Sequence, residues 1–192
     1  MEKLIFATNN EHKLVEVKKM LKGKYEVLGL KEAGIFEDIP ENEPTLDGNA
    51  RVKAEFIYNR LKINVFADDT GLEIDALDGE PGVYSARYAG ESKNSIDNMN
   101  LVLSKMKLVT NRSAQFRTSI CLILGGEKFF FEGIVKGSML EKPIGETGFG
   151  YDPIFMPNGY NISFAEMHMD EKNKISHRGL AVKKLMNFLN DK

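Results

Sequence analysis

An apolar run that stops at a polar turn and gives way to helical spacing constrains this chain more than any other feature. Lys3-Leu4-Ile5-Phe6-Ala7-Thr8 has the pattern of a buried strand ended by Asn9-Asn10, and Leu14, Val17 and Leu21 then recur at i, i+3, i+7 up to Gly23, the spacing of one helix face. The alternation continues. Tyr25–Leu30 reads as a second strand, Phe36–Pro44 as an acidic loop, Ala50, Ala54, Ile57 and Leu61 as a second amphipathic helix, and Asn64–Asp68 as a third strand. Beyond the Gly/Pro-rich stretch DGEPGVYSARYAGE, Ile96, Met99, Leu103 and Met106 mark a third helix. Ala114–Leu124 and Lys128–Lys136, split by Gly125-Gly126, form a hairpin of long strands by pattern. Tyr151–Met156 is expected to be a short strand, and Val182, Leu185, Met186 and Leu189 a C-terminal helix. This order predicts an α/β fold with a mixed sheet flanked by helices. With no repeat or linker, residues 1–192 are expected to form a single domain or two lobes of one unit.

Composition narrows the function. The 192 residues carry a net charge of −2, so no global basic field draws the chain to nucleic acid or an anionic membrane, and an anionic ligand needs a local cluster. No apolar stretch has membrane-spanning length, and MEKLIFATNN is too short and polar for a signal peptide. The single cysteine, Cys121, lies in the apolar run Ile120–Leu124 and cannot form an internal disulfide. A reducing, cytoplasmic setting is expected.

Polar residues gather at predicted element ends, and each cluster has two readings. Val65-Phe66-Ala67 ends in Asp68-Asp69-Thr70-Gly71. That is a solvated turn, or a pair of carboxylates tolerated because a cation or proton shares the site. A-T-N-N-E-H-K, residues 7–13, joins strand one to helix one. It is a simple cap by Thr8, Asn9 or Asn10, or an anion site at a helix N-terminus with Lys13 adding charge. It lacks the spacing of a Walker loop. The acidic loop with Glu41 and Glu43 is solvated charge, or it joins Asp68 and Asp69 in an all-oxygen Mg²⁺ site. G-F-G-Y-D-P, residues 148–153, is a glycine turn with core aromatics, or a slot that stacks a flat base. In E-K-N-K-I-S-H-R, residues 171–178, Ser176 has the type of a helix N-cap, but Lys172, Lys174, His177 and Arg178 put cations where a helix dipole prefers anions. No G-x-S-x-G elbow and no zinc spacing of His12, His168 and His177 is present.

Five of these motifs, T-N-N-E-H-K, A-D-D-T-G-L, P-G-V-Y-S-A-R-Y, F-G-Y-D-P and I-S-H-R-G, occur in one order and spacing. In this the chain resembles the inosine/xanthosine triphosphate pyrophosphatase family from residue 3 to about 189. The resemblance implies a two-lobed α/β fold around a long mixed sheet with the substrate in a cleft between lobes. It implies a homodimer, Mg²⁺ dependence, and hydrolysis of ITP, dITP and XTP to the monophosphate and pyrophosphate. By the same resemblance Thr8, Asn9, Asn10, Glu11, His12 and Lys13 bind the triphosphate, and Asp69 is the general base. Glu41 and Asp69 hold the metal with Asp68 in support, and Thr70 stands where relatives have a substrate-contacting serine. Phe149, Gly150, Tyr151, Asp152, Lys172, His177 and Arg178 form the nucleotide-binding set, with Arg178 expected to donate to the 6-oxo group of the base. Two departures stand out: relatives read E-T-G-x-T-F-x-E-N-A where this chain has E-N-E-P-T-L-D-G-N-A, and Thr147 replaces a frequent glycine.

Overall fold

The computed structural model describes residues 2–23 and 25–191. Strands β1 (Glu2–Phe6), β2 (Tyr25–Gly29), β3 (Val65–Ile74), β4 (Pro81–Gly82), β5 (Ser113–Leu124), β6 (Glu127–Met139) and β7 (Phe155–Pro157) form one sheet in the order β2-β1-β3-β5-β6-β7, with β4 on β3. β1 runs parallel to both β2 and β3, with Leu4 opposite Val27 and Ile5 opposite Val65. β3–β4 and β6–β7 are antiparallel, so the sheet is mixed, as the order of elements predicts. Helices α1 (Glu11–Leu21), α2 (Leu46–Leu61), α3 (Ser95–Lys105), α4 (Met169–Ile175) and α5 (His177–Asn190) flank it. None of the described helices is long and apolar enough to cross a membrane.

The chain divides into two compact units: Met1–Asp69, Thr118–Gly133 and Arg178–Lys192 form the first, and Thr70–Arg117 and Ile134–His177 the second. In the first unit the strand period of two sorts side chains into two cores. Leu4, Phe6 and Phe66 pack with Val17 and Leu21 of α1 and Ala181, Val182 and Leu185 of α5. Ile5, Ala7, Val65 and Ala67 pack with Ala50, Ala54 and Ile57 of α2. A strand covered on both faces has no polar side to show, which is why β1 reads as an unbroken apolar run. The second unit has its own core, in which Leu72, Ile74, Phe116, Phe155 and Phe164 meet Val102 and Met106.

Local signals account for the element ends. Asn10 Oδ1 accepts from Lys13 N at 3.2 Å to cap α1, and Thr45 Oγ1 accepts from Gly48 N at 3.0 Å to cap α2. Gly125 and Gly126 take φ of 58° and 94°, joining β5 to β6 in a two-residue turn that needs positive φ twice.

The structure departs from expectation at three places. β3 does not stop at Asp68 but runs on to Ile74, because Leu72 and Ile74 continue the buried pattern and β4 pairs with this half of the strand. Residues 151–156 are not one strand. A tight turn at Asp152–Ile154 precedes β7, and the Asp152 carboxylate accepts from Phe149 N at 2.8 Å to hold that turn. The basic segment before the last helix is itself the seven-residue helix α4, which ends where Ser176 N donates to Lys172 O at 2.8 Å.

Candidate active site

Because β3 continues through the Asp-Asp pair, alternation sends the two carboxylates to opposite faces of the sheet. Asp68 follows Phe66 toward α1 and α5, whereas Asp69 follows Ala67 toward α2.

Asp68 is buried and takes two cations. Lys13 Nζ donates to Oδ1 at 3.0 Å, and Arg178 Nε donates to Oδ2 at 3.2 Å. Arg178 in turn donates from NH1 to Glu16 Oε2 at 2.6 Å. Burial pushes the Asp68 carboxyl up, but Lys13 and Arg178 outweigh it and hold the group far below the usual carboxylate range. The same contacts explain a helix that begins with a cation. Arg178, only 2% exposed, opens α5 against two carboxylates instead of facing water.

Asp69 lies among different partners. Asn49 Nδ2 donates to its Oδ2 at 2.9 Å, and Lys53 Nζ stands 3.7 Å from Oδ1. The Lys53 ammonium also donates to Glu41 Oε1 at 2.5 Å, so one ammonium bridges Glu41 and Asp69. Burial raises the Asp69 carboxyl and Glu41 raises it further; Lys53, Lys13 and the Asn49 bond only partly oppose them. Burial would lower the Lys53 ammonium, yet Asp69 and Glu41 carry it above its usual value.

Among the described residues no three His, Cys, Asp or Glu side chains gather as a metal site. The expected set of Glu41, Asp68 and Asp69 is therefore not brought together. Asp68 is on the other face, held by Lys13 and Arg178, while Glu41 and Asp69 converge on Lys53. Between them, Glu41 and Glu43 divide clearly: Glu43 pairs with Arg51 at 3.4 Å and lends its N–H to Asn49.

The 8–13 turn is built as its sequence suggests, with Thr8 Oγ1 accepting from Asn10 N at 3.1 Å ahead of α1. Asn9 donates to Asp38 at 2.9 Å. Glu11 and His12 lie exposed, Glu11 paired with Lys31 at 2.8 Å.

In the second unit, Asp152 Oδ2 accepts from both Phe149 N and Lys172 Nζ at 2.8 Å. Lys172 stands 5.0 Å from the Phe149 ring centre and 5.8 Å from that of Phe164, in cation–π range of both. A Cβ on Gly148 would come within 2.3 Å of Asp152 Oδ2, and its φ is +77°, so only glycine lets the loop close on that carboxylate. Tyr151 donates its hydroxyl to Ser85 O at 2.7 Å, a buried tie within the second unit. His177 stacks on Phe116 at 4.6 Å between centroids. Thr147 donates to Ala165 O at 2.7 Å, which anchors the loop in which it replaces glycine. Thr70 and Gly150 are half-buried, Thr70 directly after Asp69 on β3 and Gly150 in the same loop as Phe149. Arg178, expected to donate to the keto group of the base, has two of its nitrogens bonded to Glu16 and Asp68.

Sequence reasoning missed Glu16, Asn49 and Lys53. The signal was present: Asn49 and Lys53 sit four apart and adjoin Ala50, Ala54 and Ile57 on α2, and Glu16 adjoins Val17 on α1. Polar side chains beside a buried helical face need partners inside.

A mixed α/β sheet that buries carboxylate–lysine pairs at the middle of a strand, beside a turn leading into a capped helix, defines an α/β protein with a buried charged site. The particular family follows from comparison: the Ham1 family model matches residues 4–188, and the chain belongs to that family. Among relatives, a dITP/XTP pyrophosphatase of Porphyromonas gingivalis is 54% identical over 98% of both chains. One from Flavobacterium johnsoniae is 50% identical over 97% of both. The solved structure of the Staphylococcus aureus Ham1 protein superposes with a TM-score of 0.89, at 38% identity and 99% coverage of each chain. The fold and family expected from the five motifs are those found.

Proposed function

We propose that this chain is a pyrophosphohydrolase of non-canonical purine nucleoside triphosphates, converting ITP, dITP and XTP to the monophosphate and pyrophosphate. The observation that carries this reading is the unequal treatment of two adjacent carboxylates. Lys13 and Arg178 hold the Asp68 carboxyl far below its usual range, whereas burial, with Glu41 adding to it, raises that of Asp69. A base works best when its pKa approaches the operating pH. In the proposed step Asp69 takes a proton from water as the water oxygen bonds to the α-phosphorus. The bond from that phosphorus to the bridging oxygen breaks, and pyrophosphate leaves. Lys13 and the 8–13 turn bind the triphosphate, with backbone N–H groups at the start of α1 supplying donors. Phe149, Lys172, His177 and Asp152 hold the base, and Thr70 contacts substrate beside Asp69. The names of the relatives support the substrate class.

Glu41 and Asp69 are an all-oxygen pair that already converges on one cation, a donor set that suits Mg²⁺, which takes one or two carboxylates together with phosphate oxygens. These two residues would hold it, and the ion would neutralise phosphate charge. Asp68 is left out of that role. A homodimer working in the cytoplasm, with no nucleic-acid or membrane partner, belongs to the same proposal. The test is phosphate release from a panel of triphosphates with and without inorganic pyrophosphatase. Phosphate appears only when the second enzyme is present; direct orthophosphate release with a diphosphate product refutes the proposal.

A further inference from the structure

The Asn49 amide is used at both ends. It is fully buried on α2; its Oδ1 accepts from Glu43 N at 3.0 Å, and its Nδ2 donates to Asp69 Oδ2 at 2.9 Å. The orientation is not arbitrary. A backbone N–H can only be answered by the amide oxygen, so the NH₂ must face the carboxylate. One side chain thus ties the backbone of the acidic loop, two residues from Glu41, to the group proposed as the base. A carboxylate turns easily about its last torsion. Holding Oδ2 sets the plane of the group and leaves Oδ1 as the oxygen nearest Lys53. An amide does this without charge and at any pH.

We infer that Asn49 is a positioning residue for hydrolysis, acting through Asp69 by fixing the plane of its carboxylate. The inference rests on the reading of Asp69 as the base. The competing role is a loop anchor, acting through Glu43 N alone. Asn49→Asp separates the two because it has the same shape, keeps an acceptor for Glu43 N, and replaces the donor facing Asp69 by a like charge. Positioning predicts a kcat for dITP lower by about 10²-fold, the scale of a small misplacement of a reacting group, with KM held within about threefold. Near wild-type kcat overturns the inference, and Asn49→Ser, which adds no charge, tells loss of the amide donor apart from repulsion by the new carboxylate.

The same substitution is then made in an Asp69→Asn background. If Asn49 acts through Asp69, N49D adds no more than about twofold to the loss already caused by D69N, because coupled residues are not additive. A full second loss of about 10²-fold overturns the inference. D69N alone with wild-type turnover refutes Asp69 as the base, a result read before Asn49 is altered and so distinct from a failure of the Asn49 cycle. Thermal melting checks that each variant folds; should N49D fail to fold, Asn49→Ser, which adds no charge, carries the same cycle.

Discussion

Replacing Arg178 by methionine tests the buried charges around Asp68. Methionine keeps much of the side-chain length and removes the guanidinium, which donates to Glu16 at 2.6 Å and to Asp68 at 3.2 Å. Asp68 keeps Lys13 at 3.0 Å, and Glu16, a carboxylate only 4% exposed, loses its 2.6 Å contact with the guanidinium. Removing one partner of a buried ion pair costs about 3–5 kcal/mol, because the remaining charge keeps its desolvation penalty. For a chain of this size each kcal/mol lowers Tm by about 2–4 °C, so R178M is expected to melt roughly 6–20 °C lower. Adding Glu16→Gln removes the buried charge that Arg178 faced, and the double variant is expected to melt no lower than R178M alone. Calorimetry of the four proteins gives the cycle, and kcat/KM for ITP and ATP is measured alongside. If Arg178 acts through Asp68, activity falls by the same factor on both substrates. An unchanged Tm together with a loss confined to keto purines refutes this reasoning and returns Arg178 to the base slot.

Three further outcomes are expected. Lys53→Met removes the ammonium that opposes the rise of the Asp69 carboxyl; with that carboxyl raised further, the base is protonated at higher pH, and the acid limb of the kcat/KM profile moves upward. An acid limb that stays in place counts against Asp69 as the base. Gly71→Ala would place a Cβ 2.6 Å from Gly82 O, a backbone atom that cannot swing away, so urea unfolding should show a loss of about 1–3 kcal/mol. Burial pushes the Cys121 thiol up to about 12, so native protein should resist iodoacetamide until it unfolds. Its folded value lies above an unfolded value of about 8.5, so its contribution to stability is complete below that pH and is lost as pH rises toward the folded value. Cys121→Val should flatten that alkaline slope in thermal melts.

Sequence by itself determined the features that depend on neighbours a few residues apart. Apolar runs such as Leu4–Ala7, the helical spacing of Leu14, Val17 and Leu21, and Gly125-Gly126 between two strands follow from local periodicity and turn chemistry. They were enough for a mixed α/β fold, for the capped 8–13 turn and, through five motifs in register, for the family. The tertiary structure decided what the carboxylates are for. Asp68 and Asp69 look alike in sequence, and a turn after them looked as plausible as a strand; strand pairing, β4 at Leu72 and Glu73 included, carries β3 past them, and alternation along the strand turns them to opposite faces. Their partners lie far off in the chain, Arg178 110 residues from Asp68 and Asn49 20 residues from Asp69. Whether a carboxyl is held down by two cations or lifted by burial depends on which helices cover each face of the strand, and no local pattern records that.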